Sequence, residues 1–262
     1  MTRALLYHDV VPEGEFAASG FVSPDANIYK VSTTEFERHL SAIQSRHVKP
    51  AVSALDALDA KDAFLLTFDD GGVSAIRWTA DAIERFGHIG HFFITTDQID
   101  TPGFLSSSEI VALARRGHVI GSHSCSHPAL MSRYTAQQLD REWRESAFRL
   151  SDILGTSVTI ASVPGGSYSR AVGAAAANAG MRVLFTSEPT SAIGHVDGCA
   201  LIGRYSVQQG TSAQTAAASA AGDLLPQLRQ SVYWNFKKVL KRIGGNVWIE
   251  FRKAVLARRS PP

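Results

Sequence analysis

Cysteine is scarce in this 262-residue chain. Cys125 and Cys199 are the only two, too few for a secreted disulfide framework and in keeping with a reducing compartment. Long apolar runs are also missing. None approaches the ~18 residues of a membrane span, and the apolar start of MTRALLYHDVVPEGEF is interrupted by His8 and Asp9, too early for a signal-peptide core. The expectation is a soluble, cytoplasmic protein. An excess of charge of one sign is absent over the whole chain, where 26 Lys+Arg face 24 Asp+Glu. Hydrophobic residues at 45% and charged residues at 19% exclude a disordered or fibrous chain. The length supports a full hydrophobic core without help from a disulfide or metal, and α/β barrels of ~250 residues often form one unit.

What is present is an alternation of short apolar runs with helix-period segments, the pattern of βαβ units and a mostly parallel sheet. Strands are expected at Arg3–His8, Ala63–Phe68, Gly90–Thr95, His118–Ser122, Thr156–Val163, Arg182–Thr186 and Cys199–Gly203. Capping-box patterns begin at Thr34, Ser106 and Thr135, each with Glu or Gln three residues later. A helix over about 136–154 would carry Leu139, Trp143, Ala147, Leu150 and Leu154 on one stripe and end at Gly155. Seven strands, most followed by a helix, indicate a single α/β domain, barrel-like or doubly wound. The Ala/Ser/Thr-rich stretch 210–222 is either a last small helix or a semi-flexible joint.

In parallel α/β folds the reactive groups gather where strands end at their carboxyl termini. Those ends carry His8, Asp69-Asp70, His123, Pro164-Gly165-Gly166, Ser187-Glu188 and Arg204. Two adjacent carboxylates leaving a buried strand would repel, and desolvation would raise at least one pKa. A divalent cation relieves this by ligating one and leaving the other as a base, while Gly71 and Gly72 let the backbone bend. A solvent-exposed Asp-Gly turn is the other reading. In His123-Ser124-Cys125-Ser126-His127-Pro128 the two imidazoles share a face on either a helical turn or an extended chain. Two imidazoles and one carboxylate make a catalytic zinc set with a position left for water or substrate. Cys125 would compete as a soft ligand if the segment were extended; on a helical turn it would pack away from the site.

Thr67-Phe68-Asp69-Asp70-Gly71 and His123-Ser124-Cys125-Ser126-His127-Pro128 resemble the first two motifs of the polysaccharide deacetylase (NodB-homology) family, carbohydrate esterase family 4. Leu6-Tyr7-His8-Asp9 is similar to the circularly permuted, poly-N-acetylglucosamine deacetylase-like branch, in which the late histidine lies on the first strand. The resemblance covers about 3–205 and implies a distorted (β/α)7 barrel. It implies Asp69 as general base, His8 as general acid, and Asp70, His123 and His127 as ligands of a divalent ion, usually Zn2+. The implied reaction removes N-acetyl, or less readily O-acetyl, groups from a saccharide, here a cytosolic or lipid-linked glycan intermediate.

The chain departs from the family pattern in its third motif, where the Arg that orients the base is missing from Ser162-Val163-Pro164-Gly165-Gly166-Ser167-Tyr168. Tyr168 or a backbone N–H near Gly166 is a candidate oxyanion donor. Arg204 is a candidate for the missing cation, a surface salt bridge being its other reading. No match to the family's Asp–Trp motif is present. Two further functional readings follow: a non-catalytic carbohydrate-binding protein on the same scaffold, and a hydrolase of a non-sugar amide.

The expected division is a catalytic domain over 1–209 and an Ala-rich joint with a basic tail over 210–262. Arg229–Arg259 holds nine Lys/Arg against Glu250 alone, a local charge of +8 that leaves −6 for the remainder of the +2 chain. Val232, Tyr233, Phe236, Val239 and Leu240 recur there at helical spacing. A basic amphipathic helix of this kind suits an anionic membrane, at the inner face for a cytoplasmic protein. A terminal helix packed on the barrel with a solvated basic face is the alternative. No nucleic-acid motif accompanies the charge.

Overall fold

In the computed structural model, residues 1–235 are described; most of the expected basic tail lies outside them. Eleven strands occur in chain order: β1 (Thr2–Tyr7), β2 (Val10–Val11), β3 (Val31–Ser32), β4 (Ala63–Phe68), β5 (Gly90–Ile94), β6 (Val119–Ser122), β7 (Ile160–Ser162), β8 (Val183–Phe185), β9 (Ile193–Val196), β10 (Cys199–Ile202) and β11 (Tyr205–Ser206). All seven expected strands are among them. β2 and β3 form a small parallel pair, and the rest make one sheet in the order β11-β1-β4-β5-β6-β7-β8-β10-β9. Only the β9–β10 pairing in that sheet is antiparallel.

The sheet curls. Two residues separate β10 from β11, yet the two strands lie toward opposite ends of the strand order: β10 pairs with β8, whereas β11 pairs with β1. The chain makes that jump through Gly203 and Arg204, and Arg204 bonds Thr67 and Asp69 just beyond β4. Such contact is possible only if the strands wrap round toward one another, as in the NodB-like (β/α) barrel. The strict alternation implied by seven β/α units is broken here, because β9 to β11 follow one another without a helix.

Period-two alternation sorts the strand residues into two layers. Ala4, Leu65, Phe93, Ile160, Val183, Phe185 and Ile202 share one buried cluster within the curl. Leu5, Tyr7, Leu66, Phe68, Phe92 and Ile94 face outward with Phe36 and Leu40 of the helix Thr33–Ser45. The same alternation brings Thr67, Asp69, Ser162 and Arg204 onto the inner face above the apolar layer, so the polar end of the barrel follows from strand register.

Helix starts obey the side-chain chemistry read from sequence, with one displacement. Ser106/Glu109 and Thr135/Gln138 form reciprocal capping boxes. The helix expected from Thr34 is instead capped by Ser32, whose Oγ accepts from the Glu35 N–H, so Thr34 falls inside the first turn. The helix Ala136–Leu154 buries Leu139, Trp143, Ala147 and Leu150 and ends at Gly155 with φ 68°. The alanine-rich stretch adopts the helix reading over Ala213–Ala221. Its Ala217 and Ala220 enter the same cluster as Leu40, so packing onto the barrel continues past residue 209. Among the described residues no helix is long and apolar enough to cross a membrane.

Candidate active site

Five strand ends build the site: His8 follows β1, Asp69 and Asp70 follow β4, His123 and His127 follow β6, Ser162 closes β7 and Arg204 follows β10. Asp70 Oδ1 lies 3.4 Å from His123 Nε2 and 3.3 Å from His127 Nε2. These are long for hydrogen bonds, and Asp70 Oδ1 is a buried oxygen without a hydrogen-bond partner. Two ligands each about 2.1 Å from a tetrahedral zinc ion stand about 3.4 Å apart. Spacing, donor types and the orphaned oxygen therefore fit a divalent cation, which Asp70, His123 and His127 could hold together.

The surroundings favour that state. Burial pushes the Asp70 carboxyl up, but His123 and His127 outweigh it and hold it well below the usual carboxylate range. His123 Nδ1 lies 3.0 Å from the Ser162 carbonyl, which can only accept. The ring proton therefore sits on Nδ1 and leaves the Nε2 lone pair facing Asp70.

Local backbone conformation delivers the ligands at a cost. Asp70 (φ 79°), Ser124 (φ 63°) and His127 (φ 56°) are all left-handed non-glycine residues, a conformation typical of functional sites that the surroundings must enforce. The 123–128 segment is thus neither the helical turn nor the extended run considered from sequence. Side chains hold it instead: Ser124 Oγ accepts from the His127 N–H, and Glu142 accepts from the N–H groups of Cys125 and Ser126 and from the Ser126 hydroxyl. Cys125 packs, its Sγ 3.4 Å from the Glu142 carbonyl, with burial pushing the thiol up to about 11.

Asp69 is clamped from the far side of the barrel. Arg204 donates Nη1–H to Oδ1 at 2.7 Å and Nη2–H to Oδ2 at 2.9 Å, a bidentate fork. Its remaining N–H groups reach Ser162 Oγ, Thr67 Oγ1 and the Thr186 carbonyl, so all five donors are used. Phe93 and Phe185 lie 5.8 and 5.7 Å from the guanidinium carbon. Arg204 is completely buried, which excludes the surface salt-bridge reading. Burial pushes Asp69 up, but Arg204, followed by His123, outweighs it and keeps the carboxylate ionised below its ordinary range.

His8 packs at a tilt against Tyr29, with ring centroids 4.5 Å apart, and its buried Nδ1 has no hydrogen-bond partner among the described residues. Burial lowers its pKa; Asp70 and Asp69, both near enough to act on it, pull the other way. The 9–31 loop that follows is pinned by buried Asp9, which accepts from Ser19 Oγ and Ser74 Oγ, and by Lys30, whose ammonium donates to the Phe16 and Ser19 carbonyls. Gly72 is required there: a Cβ would lie 2.1 Å from Asp9 Oδ1. The loop sets Phe21 5.1 Å from His127 and 4.9 Å from Phe104, an aromatic edge to the Asp70, His123 and His127 cluster.

Two expected residues fall elsewhere. Tyr168 packs with the Trp143–Val172 cluster, its hydroxyl 3.0 Å from where a Gly173 Cβ would stand. The ring is drawn into apolar contact between helix and sheet and is not gathered with the ligands. Gly166 (φ 62°) lies beneath Trp234 and beside Ser187, on the rim after β7. Sequence reading missed Glu142, Phe21 and Phe104. Glu142 had a signal, an acid one residue before Trp143 on the buried stripe of its helix.

Known proteins resemble this chain in sequence and in fold. Residues 58–184 match the family model described as Polysaccharide deacetylase. YxkH of Bacillus subtilis, named as a candidate polysaccharide deacetylase, is 25% identical over 173 residues, covering 63% of this chain and 62% of its own length. The aligned part thus spans about three fifths of that relative. The fold is similar to the Streptococcus pyogenes deacetylase PplD, solved in complex with acetate (TM-score 0.68, 16% identity, 81% of this chain and 95% of that one). It is also similar to IcaB from Ammonifex degensii (TM-score 0.68, 20% identity, 84% and 97%). A third likeness is to the polysaccharide deacetylase BC0361 from Bacillus cereus (TM-score 0.69, 20% identity, 84% and 68%).

Proposed function

We propose that this protein is a divalent-metal-dependent hydrolase that removes N-acetyl groups, in preference to O-acetyl groups, from a saccharide. The observation that carries the reading is the convergence of Asp70, His123 and His127 beside an ionised Asp69 that only Arg204 and its neighbours restrain. A bound Zn2+ or similar ion would polarise the acetyl carbonyl and lower the pKa of a coordinated water toward about 7. Asp69 is the group placed to take a proton from the attacking water. Arg204 fixes both of its oxygens, so the base is held in one orientation rather than tuned by a residue of the third motif. The fork supports a catalytic reading over the non-catalytic one, which rested on the missing Arg.

His8 is the proposed acid for the departing amine. Burial lowers the pKa of its imidazole, while Asp70 and Asp69 pull it the other way. Replacing His8 with Ala is expected to lower kcat by about 10²–10⁴-fold while leaving metal content at the wild-type level; loss of metal would show a ligand role instead. The reading itself is tested by acetate release from N-acetylhexosamine oligosaccharides, O-acetylated sugars and simple acetamides. Turnover of the first group with stoichiometric metal supports it, whereas turnover of the acetamides alone overturns it in favour of a non-sugar amidase. A cytosolic or lipid-linked glycan intermediate is the substrate proposed.

A further inference from the structure

The described part of the C-terminal tail, 224–235, is helical and lies on the barrel. The side toward the protein carries Trp234 together with polar residues. Gln230 exchanges hydrogen bonds with the backbone of Ser206, Ser231 Oγ donates to the Pro189 carbonyl, and Gln227 approaches Gly222. The side away from the protein carries Leu224, Leu225, Leu228 and Val232, flanked by Tyr233, all exposed; Leu225 and Val232 are 72% and 70% accessible. Spacings of 224, 228 and 232, with 225 alongside, put these aliphatic side chains on one stripe. A water-facing helix normally buries its apolar stripe on its own domain; this one turns it outward, which marks a docking surface.

From these observations we infer that the 224–235 helix docks by its apolar stripe on an anionic lipid surface. Charge selects this occupant. The sequence that follows reads FKKVLKR and, past Gly244-Gly245, VWIEFRKAVLARR, where apolar and aromatic residues alternate with Lys and Arg and Glu250 is the sole acid from Arg229 to Arg259. Apolar residues for the acyl boundary beside cations for phosphate headgroups is the composition of interfacial binding. A hydrophobic protein partner would need only the stripe, whereas an anionic bilayer uses both.

The same helix touches the rim of the site: Trp234 covers Gly166 after β7, Gln230 bonds Ser206 at the end of β11, and Ser231 bonds Pro189 after β8. Docking would hold that rim about one helix diameter, ~10–12 Å, from the headgroups. The inference stands apart from the reaction assigned above, since a chain without deacetylase activity would still bind.

The test is co-sedimentation of the full-length protein with vesicles of phosphatidylglycerol and phosphatidylcholine, compared with phosphatidylcholine alone. The wild type is expected to partition at least about tenfold more onto the anionic vesicles, and less as salt rises. A Leu225→Glu, Leu228→Glu, Val232→Glu variant should lose at least about tenfold of that binding, with an unchanged circular dichroism spectrum and thermal midpoint because these side chains are exposed. Equal recovery of variant and wild type, or no preference for anionic vesicles, overturns the inference. So does a wild-type dimer in sedimentation analysis that the variant converts to monomer without any change in vesicle binding.

Discussion

Asp69→Asn is expected to reduce kcat by about 10²–10⁴-fold while one divalent ion per chain is retained. The carboxamide keeps the shape of the side chain but cannot accept the water proton. It leaves Asp70, His123 and His127 in place, because Asp69 lies outside their cluster, 3.8 Å from His123 Nε2. The substitution also turns an NH2 toward a guanidinium whose donors are all committed to this corner. Some loss of thermal midpoint is therefore expected, and kcat must be taken from the folded fraction. Near-wild-type turnover in that fraction would remove Asp69 from the mechanism.

Arg204→Met carries the largest expected cost in stability. It leaves a buried carboxylate without its cation and also strips Ser162 Oγ and Thr67 Oγ1 of a donor. Breaking a buried pair from one side costs about 3–5 kcal/mol, or roughly 6–20 °C in a chain of this size. The pH dependence has a definite sign. In the wild type the Asp69 pKa is depressed, so its contribution is present above the unfolded aspartate value of ~3.9 and is lost as pH falls through the folded value. Without Arg204, burial dominates and the pKa moves above ~3.9. The variant then gains relative stability as pH falls from neutral and the carboxyl takes up a proton. The gap in thermal midpoint between wild type and variant should narrow toward acid pH; a gap that stays constant or widens would show that the fork is not what holds Asp69 ionised.

Much of this architecture could be read before any coordinates. The strands were legible because each central strand of a parallel sheet is a short apolar run closed by a polar residue, as in Ala63–Phe68 before Asp69. The residues proposed to hold the metal were legible as a group because they sit in two contiguous motifs. What escaped depends on distance in sequence. Arg204 could be named as a substitute cation, but only the closing of the sheet through β10 and β11 shows it 135 residues from its partner and fully buried. β9 escaped because an exposed edge strand lacks an apolar run. The 123–128 turn was misjudged because its shape is fixed by Glu142 on another element, and Tyr168 because a motif position does not say which side of the sheet a ring will face.

The central claim is that Asp70, His123 and His127 share one divalent cation. Its most direct test is titration of chelator-treated protein with Zn2+, with binding read by calorimetry and by metal analysis after desalting. The account expects one tight site per chain, abolished in Asp70→Ala and in His123→Ala and retained in His8→Ala. A stoichiometric site that survives Asp70→Ala, or no site in the wild type, would contradict it.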